Sequence, residues 1–168
     1  MPNLLAYGDI QKVLSNLLRE RVSIRDMVTI LETLADYATL TKDMEVLTEY
    51  VRHSLSRQIC SSFVINNTLT CLTVDPQLES IITNSVQRTE QGSFVALEPQ
   101  KMQELINSLT EEIPKLTNLG YQPIVLTSPG ARLYFRKLTE RAAPNLVVLS
   151  YAEIDAKVEV QAVGMVRV

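Results

Sequence analysis

Residues 21–59 read RVSIRDMVTILETLADYATLTKDMEVLTEYVRHSLSRQI, and this stretch decides how the first third of the chain folds. Ser23 is predicted to cap a first helix, with Asp26 where a capping box places an acid. Asp43 is predicted to cap a second helix that continues to the end of the stretch. Apolar residues recur at helical spacing in both: Ile24, Val28, Leu31, Leu34 and Ala35 in the first, and Met44, Leu47, Val51, Leu55 and Ile59 in the second.

A further helical pattern, at residues 9–21, precedes this stretch. Three helices with short links predict a small all-helical subdomain over residues 1–61. After Ser61 the pattern changes, because strand-like and helix-like segments begin to alternate. We therefore expect a fold of the α+β or α/β class, in which an α/β subdomain over residues 62–168 has a mixed or partly parallel sheet.

Prolines mark the predicted helix boundaries in the α/β subdomain. Asp75-Pro76 predicts a helix start, with proline at the first helical position, and this helix is expected to run through Val86. Pro99 should open a longer helix that Pro114 ends or kinks. The predicted strands are residues 69–74, 93–97, 124–126, 146–149 and an extended segment within 157–168.

Composition excludes several classes of function. The chain has 168 residues, 46% of them hydrophobic, and a formal net charge of -3, so a nucleic acid or an anionic lipid is not expected as a main partner. No apolar run has the roughly 18 residues of a membrane span, and no secretory signal is expected. Cys60 and Cys71 are expected to be reduced thiols, and neither a metal nor another cofactor is predicted.

The one enzyme-like feature is Ser128 to Arg132, where a helix begins after a buried strand. Such a helix start with an arginine in its first turn can hold an anion, so a small α/β enzyme with an anion site is one hypothesis. The alternative is an ordinary cap, with Ser128 as N-cap and Pro129 at the first helical position. Arg132 and Arg136 are expected on a solvated or interface face. No catalytic residue is predicted, and the chain is not expected to be an enzyme.

Several blocks together resemble a known family. They are VSIRDMVTILETLADYA at 22–38, TKDMEVLTEYVR at 41–52, LSRQI at 55–59, LTSPGARLYFRKLTER at 126–141 and VVLSYAEI at 147–154. In this order they resemble the C-terminal cytoplasmic region of the FlhA/injectisome family of type III export-gate proteins. The spelling SIRD…ILETLADYA…TKD is more similar to the flagellar members than to the virulence-injectisome members, which stay the nearer alternative.

The resemblance implies a function in protein export during flagellum assembly. In that family the cytoplasmic domains form a nonameric ring at the cytoplasmic face of the bacterial inner membrane, below a membrane domain that lies upstream. The implied partners are other copies of the chain, flagellar chaperone–substrate complexes, the cytoplasmic domain of FlhB and the export ATPase complex. The two subdomains resemble the third and fourth cytoplasmic subdomains, of which the third is implicated in ring contacts. The subdomains with the main chaperone groove have no counterpart in this sequence.

Four polar residues stand inside the family-like blocks: Arg25, Asp26, Asp36 and Arg52. They are candidate interface residues, expected to form salt bridges between helices or between neighbouring subunits. Capping and pairing within one chain are an equally weighted alternative. No contact residue for a chaperone is assigned.

Overall fold

The structure is a computed structural model that describes residues 5–168. The chain divides into two compact units, Met1–Ser62 and Phe63–Val168. This division falls one residue beyond the end of the helical subdomain predicted from sequence, at residue 61.

The first unit is made of α-helices: α1 Tyr7–Arg19, α2 Met27–Tyr37, α3 Met44–Ser54 and α4 Ser56–Ser61. Helices α1 and α2 both pack against α3. Each contributes residues at three- and four-residue spacing to one core, since such residues share a helix face. The fully buried members of this core include Val13, Leu17, Ile30, Leu34, Leu47 and Val51.

The predicted cap of α3 is confirmed, and the predicted cap of α2 is wrong. Asp43 Oδ1 accepts a hydrogen bond of 2.9 Å from the N–H of Glu45. Helix α2 begins later than expected because Asp26, not Ser23, is its N-cap. The Asp26 carboxylate accepts from both the N–H and the hydroxyl of Thr29, at 3.2 and 2.7 Å, whereas Ser23 Oγ accepts only from the N–H of Arg25. Two bonds at one helix end outcompete one bond outside it.

The second predicted helix is interrupted, which the sequence does not indicate. Leu55 has φ -95° and ψ 12°, and separates α3 from α4. Its N–H donates to the carbonyls of both Val51 and Arg52, at 3.0 and 3.1 Å, which tightens the last turn of α3. The Leu55 side chain is only 3% exposed, so its burial fixes the break in place.

The second unit is an α/β layer structure, as expected. Its main sheet has four strands in the order β5-β4-β1-β6, and each neighbouring pair is parallel. A separate antiparallel pair, β2-β3, forms a hairpin. The elements are β1 Thr68–Val74, α5 Pro76–Asn84, β2 Val86–Thr89, β3 Gly92–Val95, α6 Pro99–Thr117, β4 Ile124–Thr127, α7 Pro129–Thr139, β5 Val147–Ser150, a 3-10 turn Tyr151–Glu153 and β6 Glu159–Val166.

The core of this unit follows from the strand register. Leu72 lies opposite Val125, and Val125 lies opposite Val148, so three strands present one apolar row. The helices α5, α6 and α7 contribute buried side chains to the same cluster. These helix residues are Leu78, Ile82, Leu105, Leu109, Leu116 and Phe135.

Two expectations about this unit are corrected. Helix α5 is capped by Asp75 and ends at Asn84, so it does not run through Val86. The chain enters the β2-β3 hairpin at Val86 instead. Helix α6 passes through Pro114 and ends at Thr117, so the expectation that Pro114 ends this helix is wrong. Pro114 is exposed while Leu116 is fully buried, so the apolar contact of the last turn offsets the hydrogen bond that proline removes. Within residues 5–168, no helix combines the length and the apolar character that a membrane span requires.

Candidate functional site

The most unusual charged side chains are the two arginines of α7, and both are inside the α/β unit. Arg132 is 1% exposed and Arg136 is 9% exposed, so the expectation of a solvated or interface face is wrong. Nη1 of Arg132 donates to the carbonyl oxygen of Val148, and Nη1 of Arg136 donates to that of Leu146, each at 3.0 Å. These carbonyls belong to β5 and the residue before it, at an edge of the sheet.

The geometry of parallel pairing explains why arginine is needed there. The N–H of Val147 donates to Pro123, so Val147 and Leu149 turn their backbone groups towards β4. The groups of Leu146, Val148 and Ser150 therefore point away from the sheet. A buried carbonyl without a partner is costly, and the α7 arginines supply the donors that a further strand would have supplied.

Glu153 completes this closure. Its Oε1 accepts a hydrogen bond of 3.1 Å from the outward N–H of Ser150 and lies 3.9 Å from Nε of Arg132. The Glu153 side chain is 3% exposed, so a carboxylate and a guanidinium are buried together. The arrangement satisfies the outward backbone groups of an edge strand. It is a structural site.

The geometry at Ser128 to Arg132 favours the capping alternative over an anion site. Ser128 is the N-cap of α7 and Pro129 opens the helix, as the capping alternative predicts. The N–H of Ser128 donates to Oε1 of Glu79 at 3.2 Å, so a carboxylate of the same chain already uses this backbone donor. Arg132 faces β5, where it is held by Val148 and Glu153. The Ser128 N–H and the Arg132 guanidinium are therefore both engaged within the fold.

Burial raises the pKa of two further titratable side chains, Cys71 and Tyr151. Burial raises the pKa of the Cys71 thiol to about 11, so it is protonated at neutral pH and is a poor nucleophile. Burial also raises the pKa of Tyr151, and the charges of Glu79 and Cys71 add to this effect. Cys60 is a buried free thiol. In the part of the chain that the structure describes, no group of His, Cys, Asp and Glu side chains is placed to hold a metal ion.

The four candidate interface residues separate into two kinds. Arg52 is 2% exposed, and its Nη1 lies 3.8 Å from Oε2 of Glu20, so it links α3 to the end of α1 within one chain. Asp26 is the cap of α2. The side chains of Arg25 and Asp36 are exposed. The structure thus gives Arg52 and Asp26 intramolecular contacts, while Asp26, Arg25 and Asp36 are all exposed on the surface.

A set of exposed residues on α2 and just after it was missed by sequence reasoning. Val28, Glu32 and Asp36 follow one another at intervals of four on α2, and Leu40 lies in the turn that follows the helix. All four are exposed, and we call this set the α2 ridge. Val28 is 67% exposed and Leu40 is 72% exposed. Val28 was assigned to the buried stripe because it is apolar at helical spacing. Its four-residue spacing to Glu32 and Asp36 is the signal that would have placed Val28 on the exposed face.

Comparison with known proteins places the chain in a family. Residues 1–159 match the FHIPEP family. The flagellar biosynthesis protein FlhA of Bacillus subtilis is 46% identical over 168 residues, which cover 99% of this chain and 25% of that protein. The chain therefore spans about a quarter of the length of that curated relative.

Solved structures agree with this match. The complex of Chlamydia pneumoniae CdsV and CdsO has a chain with a TM-score of 0.90 at 32% identity, covering 98% of this chain and 49% of that one. The nonameric cryo-EM structure of EPEC SctV-C has a TM-score of 0.88 at 30% identity, covering 98% of this chain and 50% of that one. The chain belongs to the FHIPEP family, and it corresponds to the C-terminal region of the type III export-gate proteins, with FlhA among its relatives.

Proposed function

We propose that this chain is the C-terminal part of a flagellar type III export-gate protein and contributes to a homo-oligomeric ring that serves as a docking platform during flagellum assembly. The observation that carries the proposal is the 46% identity to B. subtilis FlhA over 99% of the chain. The solved CdsV and SctV-C structures are 32% and 30% identical. The flagellar function is therefore favoured over the injectisome alternative.

The α2 ridge and Arg25 are the surface that we propose for contacts between copies. Two aliphatic side chains that are more than two-thirds exposed lie on this ridge with two acids. Apolar exposure rimmed by charge is typical of surfaces that associate with protein. Arg25 lies just before α2, and the acids Glu32 and Asp36 lie on α2. This surface therefore carries both charge signs, and a neighbouring copy can pair an acid with a base.

The α/β unit is proposed to act as a rigid module without a catalytic role. Its buried charges satisfy the backbone of its own sheet, which supports a structural function for them. The partners proposed for the assembled protein are flagellar chaperone–substrate complexes, the cytoplasmic domain of FlhB and the export ATPase complex, at the cytoplasmic face of the inner membrane. The solved complex of CdsV with CdsO supports a protein partner for a member of this family.

A chimera tests the proposal directly. The matching region of B. subtilis FlhA is replaced by this chain, and the chimera is expressed in a B. subtilis strain that lacks FlhA. We expect swimming motility and secreted flagellin, because the replaced region is 46% identical. The matched control carries the corresponding region of C. pneumoniae CdsV, and we expect it to be stable but immotile. A chimera with this chain that accumulates normally and exports nothing would contradict the flagellar function, and equal motility of both chimeras would remove the preference over the injectisome alternative.

A further inference from the structure

Helix α3 lies between α1 and α2, so these two helices face in opposite directions. On one side of α3, Thr48 Oγ1 accepts a hydrogen bond of 3.2 Å from Asn16 Nδ2 of α1. On the other side, the Tyr50 ring stacks on the Tyr37 ring of α2, with the ring centroids 4.1 Å apart. Positions 48 and 50 are two residues apart, which is a rotation of about 200° around the helix axis. The outer faces of α1 and α2 are therefore on opposite sides of the first unit.

The acids of the first unit that lack a partner are both on the α2 ridge. Glu32 and Asp36 are exposed, and no hydrogen bond or ion pair to either carboxylate exists among residues 5–168. The acids of this unit that do have a partner are Asp9, Glu20, Asp26, Asp43, Glu45 and Glu49. Helix α2 itself contains no basic residue, so the two negative charges of the ridge are not balanced on their own helix.

A cation with an aliphatic neighbour lies at the end of α1. Arg19 is exposed, its guanidinium has no hydrogen bond or ion pair in the described part of the chain, and the adjacent Leu18 is 53% exposed. Glu20 does not neutralise Arg19, because its Oε2 lies 3.8 Å from Nη1 of Arg52 and its side chain is only 14% exposed. Arg21 adds a further exposed positive charge. We call Leu18, Arg19 and Arg21 the α1 end.

Three other exposed cations of this unit do not combine charge, aliphatic surface and position in this way. Lys12 has the polar residues Ser15 and Asn16 one turn away on α1. Arg57 on α4 has no exposed aliphatic residue one turn away. Arg25 lies directly before α2, beside the ridge and not opposite to it. The α1 end is therefore the surface of this unit that complements the ridge in both charge and apolar character.

We propose that the α1 end of one chain binds the α2 ridge of the next chain, with Arg19 between Glu32 and Asp36 and with Leu18 in apolar contact beside it. Two different surfaces on opposite sides of one unit join copies head to tail, and such a contact closes into a ring when its rotation allows. Opposite charges favour this pairing over a contact between two ridges, which would bring acids together. The inference rests on the proposed ring function and names the surface that the ridge binds.

Cysteine cross-linking in the full-length FlhA chimera, in B. subtilis membranes, tests this pairing. Leu18→Cys and Glu32→Cys are introduced together, and a short bismaleimide is added. The thiols of Cys60 and Cys71 are 3% and 0% exposed, so they give little background. We expect a ladder of dimers and larger products from the double variant. Neither single variant should give one, because a head-to-tail contact does not bring the same residue of two copies together. Arg57→Cys with Glu32→Cys is the matched control and should give no ladder.

Charge reversal tests the role of Arg19 in the same assay. Arg19→Glu should lower the cross-linked fraction at least about tenfold, because it brings an acid against Asp36 of the next chain. Asp36→Arg, added to Arg19→Glu, should restore the fraction to within about threefold of the parent. Arg57→Glu, an exposed charge reversal on α4, should leave the fraction unchanged.

The outcomes separate this inference from the proposed function. Absence of a ladder from the double-cysteine chimera would overturn the inference, as would equal cross-linking by a single variant or failure of Asp36→Arg to restore it. If a chimera without the ladder swims, the export function stands without this contact. A chimera that gives the ladder but exports no flagellin would instead contradict the export function.

Discussion

Helices α2 and α7 both have eleven residues, yet they place charged and apolar side chains in opposite ways. In α2, Val28 is 67% exposed, whereas in α7, Arg132 is 1% exposed. Residue type alone would have assigned both positions wrongly. The buried cation is explained by what lies beside it, a sheet edge that lacks a strand. For the exposed aliphatic residue we propose a contact with another copy of the chain.

The largest effect expected from this comparison is at Arg132. Replacement by Met leaves Glu153 as an uncompensated buried carboxylate and removes the donor to Val148. We expect a loss of about 3–5 kcal/mol in the free energy of unfolding, measured by urea titration. Arg141→Met, at an exposed position just after α7, is the control and should change stability by less than about 0.5 kcal/mol. Equal stability of the two variants would show that the Arg132–Glu153 pair is not structural.

Arg136→Met should have a smaller effect of the same kind. Its guanidinium donates to Leu146 at 3.0 Å, and it is more exposed than Arg132. Loss of one hydrogen bond from a charged donor predicts about 1.5–3 kcal/mol in the same urea titration. If Arg136→Met proves more destabilising than Arg132→Met, the claim that Arg132 contributes more to the free energy of unfolding is wrong.

The caps of the two helices offer a finer comparison. The Asp26 carboxylate accepts a hydrogen bond at the start of α2, whereas the Ser128 hydroxyl makes no capping bond to α7. Asp26→Ala should therefore lower the Tm slightly at neutral pH, and Ser128→Ala should not.

The Asp26 effect should also depend on pH. Hydrogen bonds from the hydroxyl and then the N–H of Thr29 lower the pKa of Asp26 below its ordinary value of 3.8. A lowered pKa in the folded state means that the contribution is present above pH 3.8 and is lost as the pH falls through the folded-state pKa. The Tm difference between the wild type and Asp26→Ala should thus disappear in strong acid. A Tm difference that persists in strong acid would show that the effect does not come from the Asp26 carboxylate charge.

The smallest effect on stability is expected on the α2 ridge. Val28→Asp combined with Asp36→Arg changes only exposed side chains, so the free energy of unfolding should stay within about 0.5 kcal/mol of the wild type. Thermal and urea unfolding of the 168-residue chain measure this. A large destabilisation would mean that the ridge is needed for folding, and it could not then be tested as a contact surface by these substitutions.

Several local patterns predicted the structure correctly where it depends on neighbouring residues. Asp43 caps α3, and Asp75-Pro76 starts α5, because these choices are made within one helical turn. The apolar run at 124–126 became a strand that is buried along its whole length. The fold class followed from the alternation of such segments.

Some errors occurred where distant residues decide the outcome, and others where one residue fitted two local patterns. The burial of Arg132 and Arg136 depends on β5 being an edge strand, and strand order cannot be deduced from the periodicity of the sequence. The hairpin of β2 and β3 was missed because Val86 also fitted the helical spacing of α5. The cap of α2 was placed at Ser23 because Asp26 also fitted the acid position of a capping box.

The central claim is that the α2 ridge is a surface for assembly and the α7 arginines are part of the fold. The most direct test introduces Val28→Asp with Asp36→Arg into the B. subtilis FlhA chimera and measures both ring assembly, by electron microscopy of its purified cytoplasmic region, and motility. Lys12→Glu, an exposed charge reversal on α1, is the control. We expect the ridge variant to be folded but without rings or motility, and the control to retain both. Normal rings in a folded ridge variant would contradict the claim.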